Sequence, residues 1–243
     1  MRIDVGGAEL EVEVSGPRRA PAVLCWNGAA TTLRMWDHVR ELLSGQFRFV
    51  CVDVRGTGKS SVSDPDDDAQ FTFETYSEDA NAVLDRLGIE QTLSWAMAWG
   101  SRAALVHAAL HPGRVERVAL FDLSIEPADV EAQKAGRLVA LEREAAAGVE
   151  RFAKPAGLGD HDDAELVRRA LQATTKADLR PLLDALTMPV LLATGDCDPN
   201  LRSTREVAGL VRNARLEVME NVAHGSVLQR PDLATRLFAD FAI

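Results

Sequence analysis

The side chains able to do chemistry in this chain gather at the ends of its apolar runs. Trp26-Asn27-Gly28-Ala29 follows the run Ala20 to Trp26, and Asp53-Val54-Arg55-Gly56-Thr57-Gly58-Lys59-Ser60 closes the run Phe47 to Val54. Ala96-Met97-Ala98-Trp99-Gly100 straddles the end of a third run, Thr92 to Met97. Late in the chain stand Gly195-Asp196-Cys197-Asp198-Pro199 and Val222-Ala223-His224-Gly225. A carboxylate that fixes one tautomer of an imidazole makes a general base that works near neutral pH, so Asp198 and His224 are candidates for that pairing. The other four histidines fit structural roles: His38, His107 and His111 lie in helix-like stretches, and His161 lies in an acidic cluster. Gly58-Lys59-Ser60 resembles the tail of a phosphate-binding loop, but Asp53 stands where that loop requires glycine. Asp53 and Arg55 are therefore read as ties within the turn.

Position at a run's end matters because ligands of open α/β sheets sit at the carboxyl ends of the strands. The N-terminal stretch alternates like a strand, including Glu9 to Ser15, and further strand-like runs span Val115 to Phe121, Met188 to Thr194 and Arg215 to Met219. Helix-like stretches intervene around Trp36 to Leu43, Tyr76 to Leu87 and Ser101 to His111. This alternation predicts a mostly parallel sheet with helices on both faces. Between Glu126 and Thr187 the chain is rich in Ala, Glu and Arg and has no strand-like run. That segment, 126–187, is expected to be a helical cap inserted into a core of 1–125 and 188–243. The acidic clusters Asp64 to Asp68 and Asp160 to Asp163 are expected to be solvated loops.

In order and spacing the motifs resemble the α/β-hydrolase family over essentially the whole chain. The resemblance rests on the Asp-x-Arg-Gly-x-Gly-x-Ser turn, the acid in Gly-x-x-Asp-Pro and the histidine near the C-terminus. It implies an α/β-hydrolase fold, a hydrolase or esterase-like lineage without a cofactor or metal, and Asp198 and His224 as acid and base. It also implies a sharp strand-to-helix elbow of the form small-x-nucleophile-x-Gly. Ala96 and Gly100 meet its steric demand, while Ala98 occupies the nucleophile position with no atom that can attack. Ser101 falls three residues later, inside the helix, and Cys197 reads as a thiol on the acid loop. The family's oxyanion hole carries over to the main-chain N–H groups of Ala29 and Trp99. Asn27-Gly28 stands where the family usually has His-Gly, so the amide keeps hydrogen-bonding capacity without titrating.

Trp26, Asn27, Met97 and Trp99 are expected to line the pocket, with Leu138, Leu141 and Phe152 of the cap making an apolar cleft for a small ester or carbonyl compound. Three accounts of Ala98 stay open: a hydrolase whose serine has been replaced, an enzyme in which His224 acts as base without a covalent step, by direct hydrolysis, C–C cleavage or a lyase reaction, and an inert small-molecule-binding relative. A chain of 243 residues with 47% hydrophobic and 26% charged content supports one globular core plus an insertion. Its net charge of −10, with scattered basic residues, argues against nucleic acid. No signal-peptide-like or membrane-spanning stretch is evident, and Cys25, Cys51 and Cys197 form no disulfide or metal pattern, which together suggest the cytoplasm and no membrane partner. Oligomeric state has no signature here.

Overall fold

Apolar runs become strands in this protein because both faces of the sheet are covered, so most side chains of a central strand are buried. The computed structural model describes all residues 1–243. The strands are β1 (Arg2–Asp4), β2 (Glu9–Ser15), β3 (Ala22–Trp26), β4 (Arg48–Val52), β5 (Thr92–Met97), β6 (Val115–Phe121), β7 (Val190–Gly195) and β8 (Ala214–Met219). They form one eight-stranded sheet in the order β1-β2-β4-β3-β5-β6-β7-β8. β1 pairs with β2, and β2 with β4, antiparallel; every other pairing is parallel.

The pleat sorts each run between two cores. Leu24, Trp26, Val50, Val52, Ala96, Val118, Leu120, Val190 and Leu192 face one side. There they meet α2 (Phe73–Arg86), α3 (Trp99–Leu110) and α6 (Leu201–Leu210) through Val83, Leu84, Ala104, Leu105 and Val207. Their neighbours Val23, Cys25, Phe49, Cys51, Trp95, Ala119, Phe121, Leu191 and Ala193 face the other side. They pack on α1 (Asp37–Leu42) and α8 (Pro231–Ala242) through Val39, Phe238 and Phe241. Trp95 anchors that second core: its ring stacks on Phe238 at 4.0 Å and meets Trp36 edge-on at 5.3 Å. Truncating so large a buried aromatic costs about 3–5 kcal/mol.

The alternation expected from the first residue onward is interrupted, because Gly6 and Gly7 adopt φ of 78° and 77° and fold β1 back on β2. Helix α2 begins at Phe73, earlier than the apolar pattern indicated, since the Thr72 hydroxyl caps it by accepting the Thr75 N–H at 3.1 Å.

Residues 126–187 contain no strand but carry α4 (Val130–Ala146), α5 (Ala164–Thr174) and a 3₁₀ turn over Arg180–Ala185. Asp129 and Asp163 cap the two helices by accepting N–H groups of their first turns. The acidic clusters do more than sit in solvent. Asp66 and Asp68 pair with Arg169 of α5. At the other cluster, Gly58 donates its N–H to His161 Nδ1 and accepts the Asp162 N–H. Exposed ion pairs of this kind add little to stability, so they orient the segment more than they stabilise it. No helix is long and apolar enough to cross a membrane.

Candidate functional site

Strand order places the site. The chain runs from β3 out to β4 and returns on the other side of β3 as β5, so the loops leaving β3 and β5 emerge side by side, with Trp26 in register with Ala96. Between β5 and α3 the direction reverses within one residue. Ala98 takes φ 55° and ψ −114°, a sparsely populated conformation that costs on the order of 1–3 kcal/mol. The turn is closed by Gly100, where an added Cβ would lie 2.4 Å from both the Trp26 and the Asn27 carbonyl oxygens. Ala98 donates its N–H to Phe121 O at 2.8 Å, tying the elbow to the end of β6. The Ser101 hydroxyl donates to the same carbonyl at 2.7 Å and is fully buried, so it points away from the cavity. Neither Ala29 nor Trp99 donates its N–H to any protein acceptor. Both residues line the same cavity as Ala98, and Trp99 N–H is also the first donor of α3, where the helix dipole favours negative charge.

Across the cavity, three side chains from the ends of β6, β7 and β8 meet. His224 Nδ1 lies 3.0 Å from Asp198 Oδ2, which leaves Nε2 without a protein partner. Asp198 is itself held by the Thr194 hydroxyl, donating at 3.2 Å, and by the Asn200 N–H, donating at 2.9 Å. Asp122 completes the cluster. It directly follows β6, is fully buried, and adopts φ 53°. Its Oδ2 accepts the N–H groups of Gly225 and Ser226 at 3.0 and 2.7 Å, which fixes the loop just beyond His224.

Burial raises the Asp122 carboxyl to about 7, assisted by the charge of Asp198 and opposed by His224 and the Ser226 bonds. For His224, burial pulls the imidazole down, but the Asp198 hydrogen bond and the charges of Asp122 and Asp198 outweigh it, so its pKa lies above the ordinary histidine value. Donor atoms of Asp122, Asp198 and His224 lie within 4.8 Å of one another, a spacing that could hold a cation. The hydrogen bonds already made to Asp122 Oδ2, to Asp198 and between Asp198 and His224 instead suit the cluster to acid–base work.

The cavity has a volume of about 380 Å³ and is lined by Ala29, Ala98, Trp99, Asn200 and His224 from the core. Residues of 126–187, among them Glu126, Val130, Gln133, Leu171 and Thr175, form the facing wall. Trp99 spans the two sides, its indole N–H donating to the Thr174 hydroxyl at 2.8 Å.

Of the expected pocket residues, three lie elsewhere. Trp26 is buried in the core and donates to the Ser94 hydroxyl at 3.0 Å. Met97 packs beneath Gly28, where a Cβ would meet its terminal carbon at 2.6 Å. Asn27 spends its amide on Val52 O and Asp53 Oδ1, and its oxygen on the Trp36 indole N–H, so it braces two loops under the cavity. The wall contributed by 126–187 is not made by Leu138, which is 64% exposed, nor by Phe152, which packs on His38, nor by Leu141. Asp53 and Arg55 do tie the turn. Asp53, raised to about 6 by burial, accepts the Leu33 N–H, and Arg55 forms a buried pair with Asp79 of α2 at 2.6 Å. Asp122 was overlooked, although it stands right after an apolar run, where the strand-end rule directs attention.

A parallel sheet with a switch point, a tight elbow at the start of a helix and an acid–histidine pair on the last strands define the α/β-hydrolase class. The chain belongs to the alpha/beta hydrolase fold family, whose model matches residues 21–162. It is 24% identical to 3-oxoadipate enol-lactonase 1 of Acinetobacter baylyi, over 97% of this chain and 93% of that protein. It is 33% identical to a fluoroacetate dehalogenase of a Burkholderia species, over 50% of this chain and 40% of that protein. Among solved structures it resembles the enol-lactonase of Burkholderia xenovorans LB400, with 26% identity, a TM-score of 0.81, and coverage of 100% and 99% of the two chains.

Proposed function

We propose that this protein is a hydrolase-lineage enzyme that activates water, or takes an acidic substrate proton, with His224, and forms no acyl-enzyme at Ala98. The observation that carries the reading is the His224–Asp198 contact of 3.0 Å in the wall of the cavity that Ala98 lines, with Nε2 unpartnered. Asp198 holds the Nδ1–H tautomer, so Nε2 is the basic atom. The N–H groups of Ala29 and Trp99 receive the carbonyl oxygen as charge develops on it. A bound water takes the place of the serine hydroxyl: Nε2 removes its proton, the oxygen bonds to the carbonyl carbon, and the proton passes to the leaving alkoxide as the C–O bond breaks. Enol-lactonases among the relatives make a small ester or lactone the first substrate class to test. Residues 126–187 act as the cap over the strand ends, and the site is that of a cytoplasmic enzyme needing no cofactor.

The test is steady-state hydrolysis of small esters and lactones across pH. Activity should require the neutral imidazole, so it should fall on acidification through a pKa above the ordinary histidine value. His224→Ala should lose about 10²- to 10⁴-fold. A flat profile with full activity in His224→Ala would refute the base. Saturable ligand binding with no turnover in the parent chain would favour the inert binder instead.

A further inference from the structure

A buried cation without a counterion lines the cavity. Arg102 lies in the first turn of α3, four residues beyond Ala98, and lines the same cavity. It is only 7% exposed. No carboxylate lies within salt-bridge distance of its guanidinium, in contrast to Arg55, equally buried, which is paired with Asp79. Nη2 donates to Ala177 O at 2.9 Å, and the head lies 5.5 Å from the centroid of Phe73. Nε is buried with no acceptor, and Nη1 makes no hydrogen bond. Burial presses on this charge, and the Ala177 carbonyl and the Phe73 ring are all that the protein sets against it. The one acidic side chain in the same cavity wall, Glu126, is bound to Arg180, which also holds Glu206. The positive end of α3 adds to the field on the same side.

Buried charges are ordinarily paired, and a guanidinium presents donors in a fork that matches a carboxylate. We infer that Arg102 is an anion anchor and that the ligand of this cavity carries a carboxylate in addition to its reacting carbonyl. This rests on the proposed hydrolase reading for the carbonyl, whereas the anchor concerns binding alone. A cavity of about 380 Å³ suits a short acid ester or acid lactone: the carbonyl oxygen sits at Ala29 and Trp99, and the carboxylate reaches the open Nη1 side of Arg102. The specificity therefore differs from the small, largely apolar ester or carbonyl compound expected from the sequence.

The experiment compares monomethyl glutarate with its neutral counterpart dimethyl glutarate, by calorimetry or ligand-observed NMR, on His224→Ala protein, so that neither probe is turned over. The monoacid should bind on the order of tenfold or more tighter than the diester. Arg102→Gln should abolish that preference while leaving diester binding in place, and Arg102→Lys should keep part of it. Equal affinity for the two probes, no saturable binding of the monoacid, or a preference that survives Arg102→Gln would overturn the anchor. The discrimination by protein with an intact Arg102 needs no folded Arg102 variant to be read. Discrimination without any turnover by the parent chain would sink the hydrolase reading and leave the anchor standing.

Discussion

The elbow at Ala98 and the acid cluster at the ends of β6, β7 and β8 face each other across one cavity, yet they are built in opposite ways. The elbow is main chain: a positive φ at Ala98, a glycine pressed on two carbonyls, and two free N–H groups. The cluster works through side chains: the Thr194 hydroxyl, the Asp198 carboxylate and the His224 imidazole are linked in series, while the Asn200 amide holds the Asp122 main-chain carbonyl and the Ser226 N–H holds the Asp122 carboxylate. A backbone device is indifferent to a change in the side chain it carries, so a methyl at position 98 leaves the turn and its donors in place. A side-chain network has no such insulation. It depends on pH, and each member matters to the rest.

The largest effect is expected from a hydroxyl placed at position 98. Ala98→Ser should give burst release of p-nitrophenolate from a small activated ester, a gain on the order of 10³ or more, because the turn already suits a small side chain. The double variant with His224→Ala should show no burst. A folded Ala98→Ser protein with neither burst nor fluorophosphonate labelling would mean that the elbow and cluster are no longer aligned for acyl transfer. The backbone half is broken instead by Gly100→Ala, whose methyl meets two carbonyl oxygens at 2.4 Å. The urea midpoint should fall by the equivalent of about 2–3 kcal/mol, and an unchanged midpoint would show that the elbow is looser than described.

Smaller effects separate the halves by pH. The Asp122 carboxyl sits at about 7 in the folded protein against 3.8 ordinarily, so the folded state keeps a proton that the unfolded chain has released. Its contribution to stability therefore declines as pH climbs from the carboxylate range through about 7 and is level above that. Asp122→Asn, which cannot titrate, should gain stability relative to the parent as pH rises across this window, as read from urea midpoints on either side of it. A constant difference would argue against a protonated Asp122. Least of all, Trp99→Phe removes the bond to Thr174 and should cost about 1 kcal/mol, leaving the Trp99 main-chain N–H in place.

Strands were legible where both faces are apolar: Thr92 to Met97 and Val115 to Phe121 stand in the structure with the ends read from sequence. The hairpin at Gly6 and Gly7 was not, because an alternating pattern continues through it. At the site, Ala98, Trp99, Ala29, Asp198 and His224 lie on the cavity or its supporting pair, since each follows a strand and strand ends converge. Trp26 and Met97 were misplaced because they are the last residues of their strands rather than the first beyond them, so the pleat turns them into the core. Asp122 was hidden by the absence of a motif around it, and Arg102 by lying on a helix, where an arginine ordinarily faces solvent. The wall that 126–187 contributes could not be read at all, because which face of α4 and α5 turns inward depends on how those helices dock.

Intact-protein mass spectrometry during turnover of p-nitrophenyl acetate distinguishes hydrolysis without a covalent intermediate from acyl transfer. The parent chain should release p-nitrophenolate above the buffer rate, with the protein mass unchanged at every time point, and His224→Ala should lose that release. An acetyl adduct that accumulates and decays at the rate of turnover, on Ser101, Cys197 or any other residue, would contradict the non-covalent route, as would release no faster than buffer.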